Sequence, residues 1–99
     1  MAEYHLVQVF HVPDSAQLFD QCDALMGQLM DMEDESVRDA AVSADVERRL
    51  ATVEVTTSGH DEVAAEFHGL KRIHEAMLSA GIPIHELKDR REMGVLTPA

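Results

Sequence analysis

The chain has one cysteine, no tryptophan and few basic residues: eight lysines and arginines stand against nineteen aspartates and glutamates. With Cys22 alone, no disulfide can form within the chain, and a lone thiol predicts a reducing, cytoplasmic setting. No apolar run approaches the ~18 residues of a membrane span. The N-terminal stretch lacks the basic segment and apolar run of a secretory signal. A net charge of −11 disfavours direct contact with nucleic acid or an anionic membrane. Repeats, low-complexity segments and linkers are absent too, so residues 1–99 are expected to form a single domain.

The acid is unevenly spread. Residues 1–50 carry −8 and residues 51–99 carry −3. Between Asp14 and Glu35 there are seven acids and no base. That surface would suit a basic partner, and Asp20, Asp23, Asp31, Glu33, Asp34 and Glu35 are its candidate binding residues. Solubility alone is the plainer reading. The run Asp31–Ser36 brushes the calcium-loop pattern, but Ser36 stands where glycine is required and Val42 where a bidentate glutamate should close the loop.

A hydrophobic content of 45% argues for a packed core in spite of the charge. Leu50–Gly81 is the clearest unit. Ala51, Val53, Val55 and Thr57 alternate with Thr52, Glu54 and Thr56, as in a half-buried strand. Ser58 or Gly59 is the expected start of a helix whose core stripe would be Val63, Phe67, Leu70, His74, Met77 and Leu78. Gly81 should end it, and Pro83 forbids continuation. Upstream, Tyr4–Val12 carries apolar residues on both faces, which predicts a central strand. Asp14 with Gln17 reads as a capping box opening a helix to Met32. Its core stripe is Leu18, Cys22, Leu25, Leu29 and Met32. Val37–Val46, best in Ala40–Ala44, should form a hairpin with the strand after Glu47-Arg48-Arg49. Residues 84–99 are read as a weak last strand or a C-terminal arm. Ile82, Ile84 and Leu87 are one candidate for the strand, and Met93, Val95 and Leu96 another.

The resulting order, β-α-β-β-α(-β), predicts an α+β, ferredoxin-like sandwich: one antiparallel sheet with two helices on one face. The uncovered face must then meet something else, so a homo-oligomer is expected.

The run from Ala40 to Gly81 resembles a group of small, uncharacterised ferredoxin-like proteins of high-GC Gram-positive bacteria. The likeness rests on the hairpin at Ala41–Asp45, the strand Thr52–Val55, the helix start Asp61–Ala64 and the helix end Ile73–Gly81. Val63 and Ser79 depart from the pattern. The resemblance implies the fold and no activity.

Six histidines raise the question of a metal or acid–base site. Their spacing offers no H-x-x-x-H, H-E-x-x-H or C-x-x-C, so neither metal nor cofactor is expected. His5 and His11 lie about 20 Å apart along one strand. His74 interrupts an apolar helical stripe and is the candidate functional histidine, although a packed core histidine is the commoner case. Lys88, Arg90 and Arg91 form a basic run that could pair with a neighbouring subunit or lie solvated. Three function classes follow. The first is a non-enzymatic, self-associating protein-binding module. The second is an acidic decoy or inhibitor of a basic or nucleic-acid-binding protein. The third is a small enzyme or small-molecule binder of the dimeric α+β barrel kind, using His5, His11 and His74.

Overall fold

The computed structural model describes residues 2–12, 14–82 and 91–99. In chain order the elements are β1 (Ala2–His11), α1 (Ser15–Asp31), β2 (Val37–Asp45), β3 (Leu50–Gly59), α2 (Glu62–Ser79) and β4 (Arg91–Pro98). The four strands form one antiparallel sheet in the order β2-β3-β1-β4. Leu6 on β1 pairs with Val55 of β3 on one side and Leu96 of β4 on the other. The apolar character of both β1 faces thus marks a strand in the interior of the sheet. The last strand forms from the Met93–Leu96 alternative. Ile84 and Leu87, like Lys88 and Arg90 of the basic run, lie outside the described residues.

Both helices pack on the same side of the sheet. Leu18, Cys22, Leu25 and Leu29 of α1 meet Ile73, Ala76 and Met77 of α2 over Leu6, Phe10, Val53 and Val55. The α1 stripe is the one the spacing predicts. Asp14 caps that helix by accepting a hydrogen bond from the Ala16 amide at 2.9 Å. Gln17 does not complete the box; its Oε1 accepts from Gln21 Nε2 at 3.3 Å instead.

The expected stripe of α2 requires correction. Its buried residues are Ala65, Gly69, Ile73, Ala76 and Met77. Val63, Phe67 and Leu78 are 78%, 62% and 66% exposed, and Leu70 and His74 are half-buried. Met77 is the one member of the expected stripe that is fully buried; it and Ile73 share the buried face with the small residues Ala65, Gly69 and Ala76. These small residues let the helix lie close to the sheet: a Cβ added at Gly69 would come within 2.6 Å of Leu6 Cδ2. Close approach of backbone to sheet, rather than side-chain size, chose the buried face.

The start of α2 also differs from expectation. β3 continues through Ser58 and Gly59, and Asp61 is the N-cap, accepting from the Ala64 amide at 2.8 Å. Thr57, wholly buried, donates its hydroxyl to the Ala65 carbonyl at 2.7 Å and ties the strand to the first turn of the helix. At the other end Gly81 adopts φ +77°, with Gly81 N–H donating to Leu78 O at 3.1 Å and Ile82 N–H to Met77 O at 2.9 Å. These are the two bonds of a Schellman cap, and Ile82 joins Met77 in the core.

Candidate functional site

The sheet face away from the helices is built from the residues that alternate with the core. It carries His5, Val7, Val9 and His11 on β1, beside Leu50, Thr52, Glu54 and Thr56 on β3 and Ala41 and Ser43 on β2. Its centre is β-branched around one carboxylate, with Asp45 of β2 opposite Leu50 at the rim. The central carboxylate, Glu54, lies 3.5 Å from His5 Nε2, and both side chains are 42% exposed. The β2 edge is irregular. Asp39 has φ +56° and the register with β3 shifts between Arg38 and Ala41, so a bulge interrupts any continuous row of free backbone groups there. Arg38 bridges from that edge to Glu3 of β1.

The outer side of α2 presents Val63, Phe67 and Leu78 to solvent, with Leu70 and His74 half-buried between them. His74 therefore borders an exposed apolar seam instead of standing inside the core. The Phe67 and His68 rings meet edge to face at 6.3 Å, and His68 Nδ1 lies 2.8 Å from the Ser58 carbonyl of β3.

The acidic candidates divide into two groups. Asp20, Asp23 and Asp31 share the exposed back of α1, with Glu33 and Glu35 exposed in the following connection. Asp34 has a structural task. Its Oδ1 accepts from the Ser36 amide at 2.8 Å, the Ser36 hydroxyl at 2.7 Å and the Val37 amide at 3.0 Å. Its Oδ2 accepts from Arg72 Nη2 at 2.8 Å, while Arg72 Nη1 donates to the Met32 carbonyl. The Arg72 guanidinium and these hydrogen bonds hold the Asp34 carboxyl far below the usual carboxylate range. The stability so gained is complete above the unfolded-state pKa of ~3.9 and is lost as pH falls toward and through the folded value. The group is half exposed, so the Asp34–Arg72 pair is worth about 1 kcal/mol. Urea midpoints measured from pH 7 to pH 2.5 should fall more steeply for the wild type than for Asp34→Asn, which is the weaker protein at pH 7.

Beside this tie lies an open cleft of about 290 Å³, lined by Ser36, His68, Lys71, Arg72 and Glu75. No sequence pattern points to it, because Ser36 and Arg72 are brought together only by the fold. Its cations are offset by Glu75 and by Asp34 on Arg72. Between helices and sheet, the niche lined by Phe10, Val12, Cys22, Leu25, Ala51 and Met77 holds about 10 Å³, scarcely room for one water, and among the described residues no histidine borders it. Cys22 is buried there, and desolvation followed by the charge of Asp23 pushes its thiol pKa up, away from reactivity. His5 and His11 occupy the face opposite the helices and His74 sits on α2, so the three do not converge. Among the described residues no three His, Cys, Asp or Glu side chains gather as a metal site, and no helix is long and apolar enough to cross a membrane.

No family model matches the chain, and no curated protein matches it. A crystal structure of a conserved protein from Methanosarcina mazei Go1 is similar, with a TM-score of 0.53 at 12% identity over 99% of this chain and 93% of that one. At that identity the likeness speaks for the α+β fold alone.

Proposed function

We propose that the chain is a non-enzymatic, self-associating protein-binding module of ferredoxin-like architecture, whose primary contact sets the open sheet face of one copy against that of a second. The observation that carries this reading is the placement of both helices on one side of a four-stranded sheet. Four strands spaced ~4.8 Å apart and about nine residues long make a face of about 600 Å². Pairing two buries about 1,200 Å², the lower bound of a specific interface. Charge favours the same surface. The outer face of α1 carries Asp20, Asp23 and Asp31 with no base in the helix, so two copies would repel there more than at the sheet centre, whose one carboxylate, Glu54, lies beside His5. The β2 bulge disfavours edge-to-edge pairing through that edge of the sheet. The acidic back of α1 remains free for a basic protein partner.

Thr52 is half-buried on the open face, where it pairs with Val9 of β1, and lies on the side of β3 away from the helices. Thr52→Lys is therefore expected to fold normally and to halve the mass measured by light scattering at micromolar concentration. A wild-type monomer under those conditions would overturn the reading.

A further inference from the structure

The open cleft beside the Asp34–Arg72 tie gathers polar side chains from two places in the chain. Ser36 comes from the connection into β2, and His68, Lys71, Arg72 and Glu75 come from α2. The four helix residues recur at spacings of three and four, so they share one side of the helix. Which of their groups are left to meet a ligand follows from the bonds they already make. His68 Nδ1 lies 2.8 Å from the Ser58 carbonyl, whose oxygen can only accept. Nδ1 therefore carries the proton, and Nε2 of the neutral ring is an acceptor. The Ser36 hydroxyl donates to Asp34 Oδ1 at 2.7 Å, so its oxygen too is left to accept. Arg72 spends two of its five N–H groups on Asp34 and the Met32 carbonyl. That grip fixes a side chain only 17% exposed and leaves its other N–H groups to donate. Lys71 and Glu75 stand about one helical turn apart, a spacing at which opposite charges commonly pair, yet among the described residues no ion pair joins them.

The cleft thus offers the Glu75 carboxylate, His68 Nε2 and Ser36 Oγ as acceptors, and Lys71 and Arg72 as cationic donors. We infer that it binds the zwitterionic head of a free α-amino acid, the ammonium on those acceptors and the carboxylate on Lys71 and Arg72. A primary ammonium brings one N–H for each acceptor, and a carboxylate brings one oxygen for each donor. A plain anion would meet the charges of Glu75 and Asp34 in a chain of net charge −11. A plain cation would meet Lys71 and Arg72. A zwitterion answers both signs and leaves the net charge of the cleft unchanged. The volume of about 290 Å³ lies at the lower end of the small-molecule range, enough for one amino acid. The described lining residues are all polar, so a large apolar side chain gains nothing there and a small or polar one fits. The cleft is separate from the open sheet face and is complete within one copy.

The head group alone carries the inference, so glycine, acetate and glycine betaine are the probes, titrated by NMR of the 15N-labelled protein. Glycine should saturate with a Kd on the order of 1 mM, moving the His68 ring nitrogens and the Ser36 and Lys71 amides. Acetate lacks the ammonium and betaine lacks its N–H groups, so each should bind at least about tenfold more weakly. Lys71→Met, at an exposed position, should weaken glycine by about tenfold. Glu75→Gln should weaken glycine and strengthen acetate, a reversal that general loss of structure does not produce. Thr52→Lys should bind glycine as the wild type does, which keeps this result apart from that of the sheet face. Shifts that fail to saturate by about 50 mM glycine overturn the site. So do acetate or betaine binding equal to glycine, or a Glu75→Gln variant with unchanged preference.

Discussion

Gly59→Ala should destabilise the protein by about 3 kcal/mol, a drop of roughly 10–20 °C in melting temperature for a domain of this size. Gly59 is the last residue of β3 and is buried against the first turn of α2. A Cβ there would lie 2.5 Å from Ala65 N and 2.9 Å from both Ala64 C and Ala65 Cα. All three are backbone atoms, so no rotamer change can relieve the clash. The strand end and helix start would have to separate, and the Thr57–Ala65 hydrogen bond spans that same gap. Gly59 does not have positive φ, so the objection is contact and not conformation. Gly27→Ala is the control. It lies exposed in α1 with nothing within 4 Å of an added Cβ, and should gain about 1 kcal/mol from helix propensity. Thermal denaturation followed by circular dichroism reads both. A Gly59→Ala melting point within a few degrees of wild type would mean that the junction is slack.

Gln8→Met should move stability the other way, by about 1–3 kcal/mol. Gln8 sits on the helix side of β1 and is 3% exposed, and its Oε1 finds no hydrogen-bond partner among the described residues. A buried amide oxygen without a donor costs its desolvation with no return. Methionine has nearly the same length and enough freedom to fill the space. The gain should appear as a higher urea midpoint at unchanged slope. Gln8 faces the helices, so the assembly mass should stay the same. A loss of stability would mean that the carbonyl is engaged.

Alternation and helical spacing made both hairpin strands, the interior position of β1 and the buried face of α1 legible in the sequence. Those signals arise from residues within one element and need no knowledge of its neighbours. The face of α2 was not legible. Weighted by hydrophobicity, Val63, Phe67 and Leu78 outscore Ala65, Gly69 and Ala76. The deciding fact is how near Leu6 and Thr57 come to Gly69, which depends on elements more than ten residues away. The capping of α2 by Asp61 was hidden for a related reason. Ser58 and Gly59 look like helix-start residues, yet Ser58 donates its amide to the Ser36 carbonyl at 2.9 Å, which keeps β3 extended. Asp34 reads in sequence as one more acid of a charged surface. Arg72, thirty-eight residues on, turns it into a clasp. Two of the histidines singled out, His5 and His11, belong to the open face, and the third belongs to the exposed seam.

The interior place of β1 also dictates a timetable. Leu6 waits forty-nine residues for Val55 and ninety for Leu96. Loop closure over such separations is slow, and the chain must hold its first strand unpaired while the residues that flank it are still being added. Its two apolar faces are then at their most adhesive. The neighbouring α1, with its acidic back and no base, is made immediately afterwards, and it surrounds that waiting strand with negative charge while the nascent chain is most prone to aggregate.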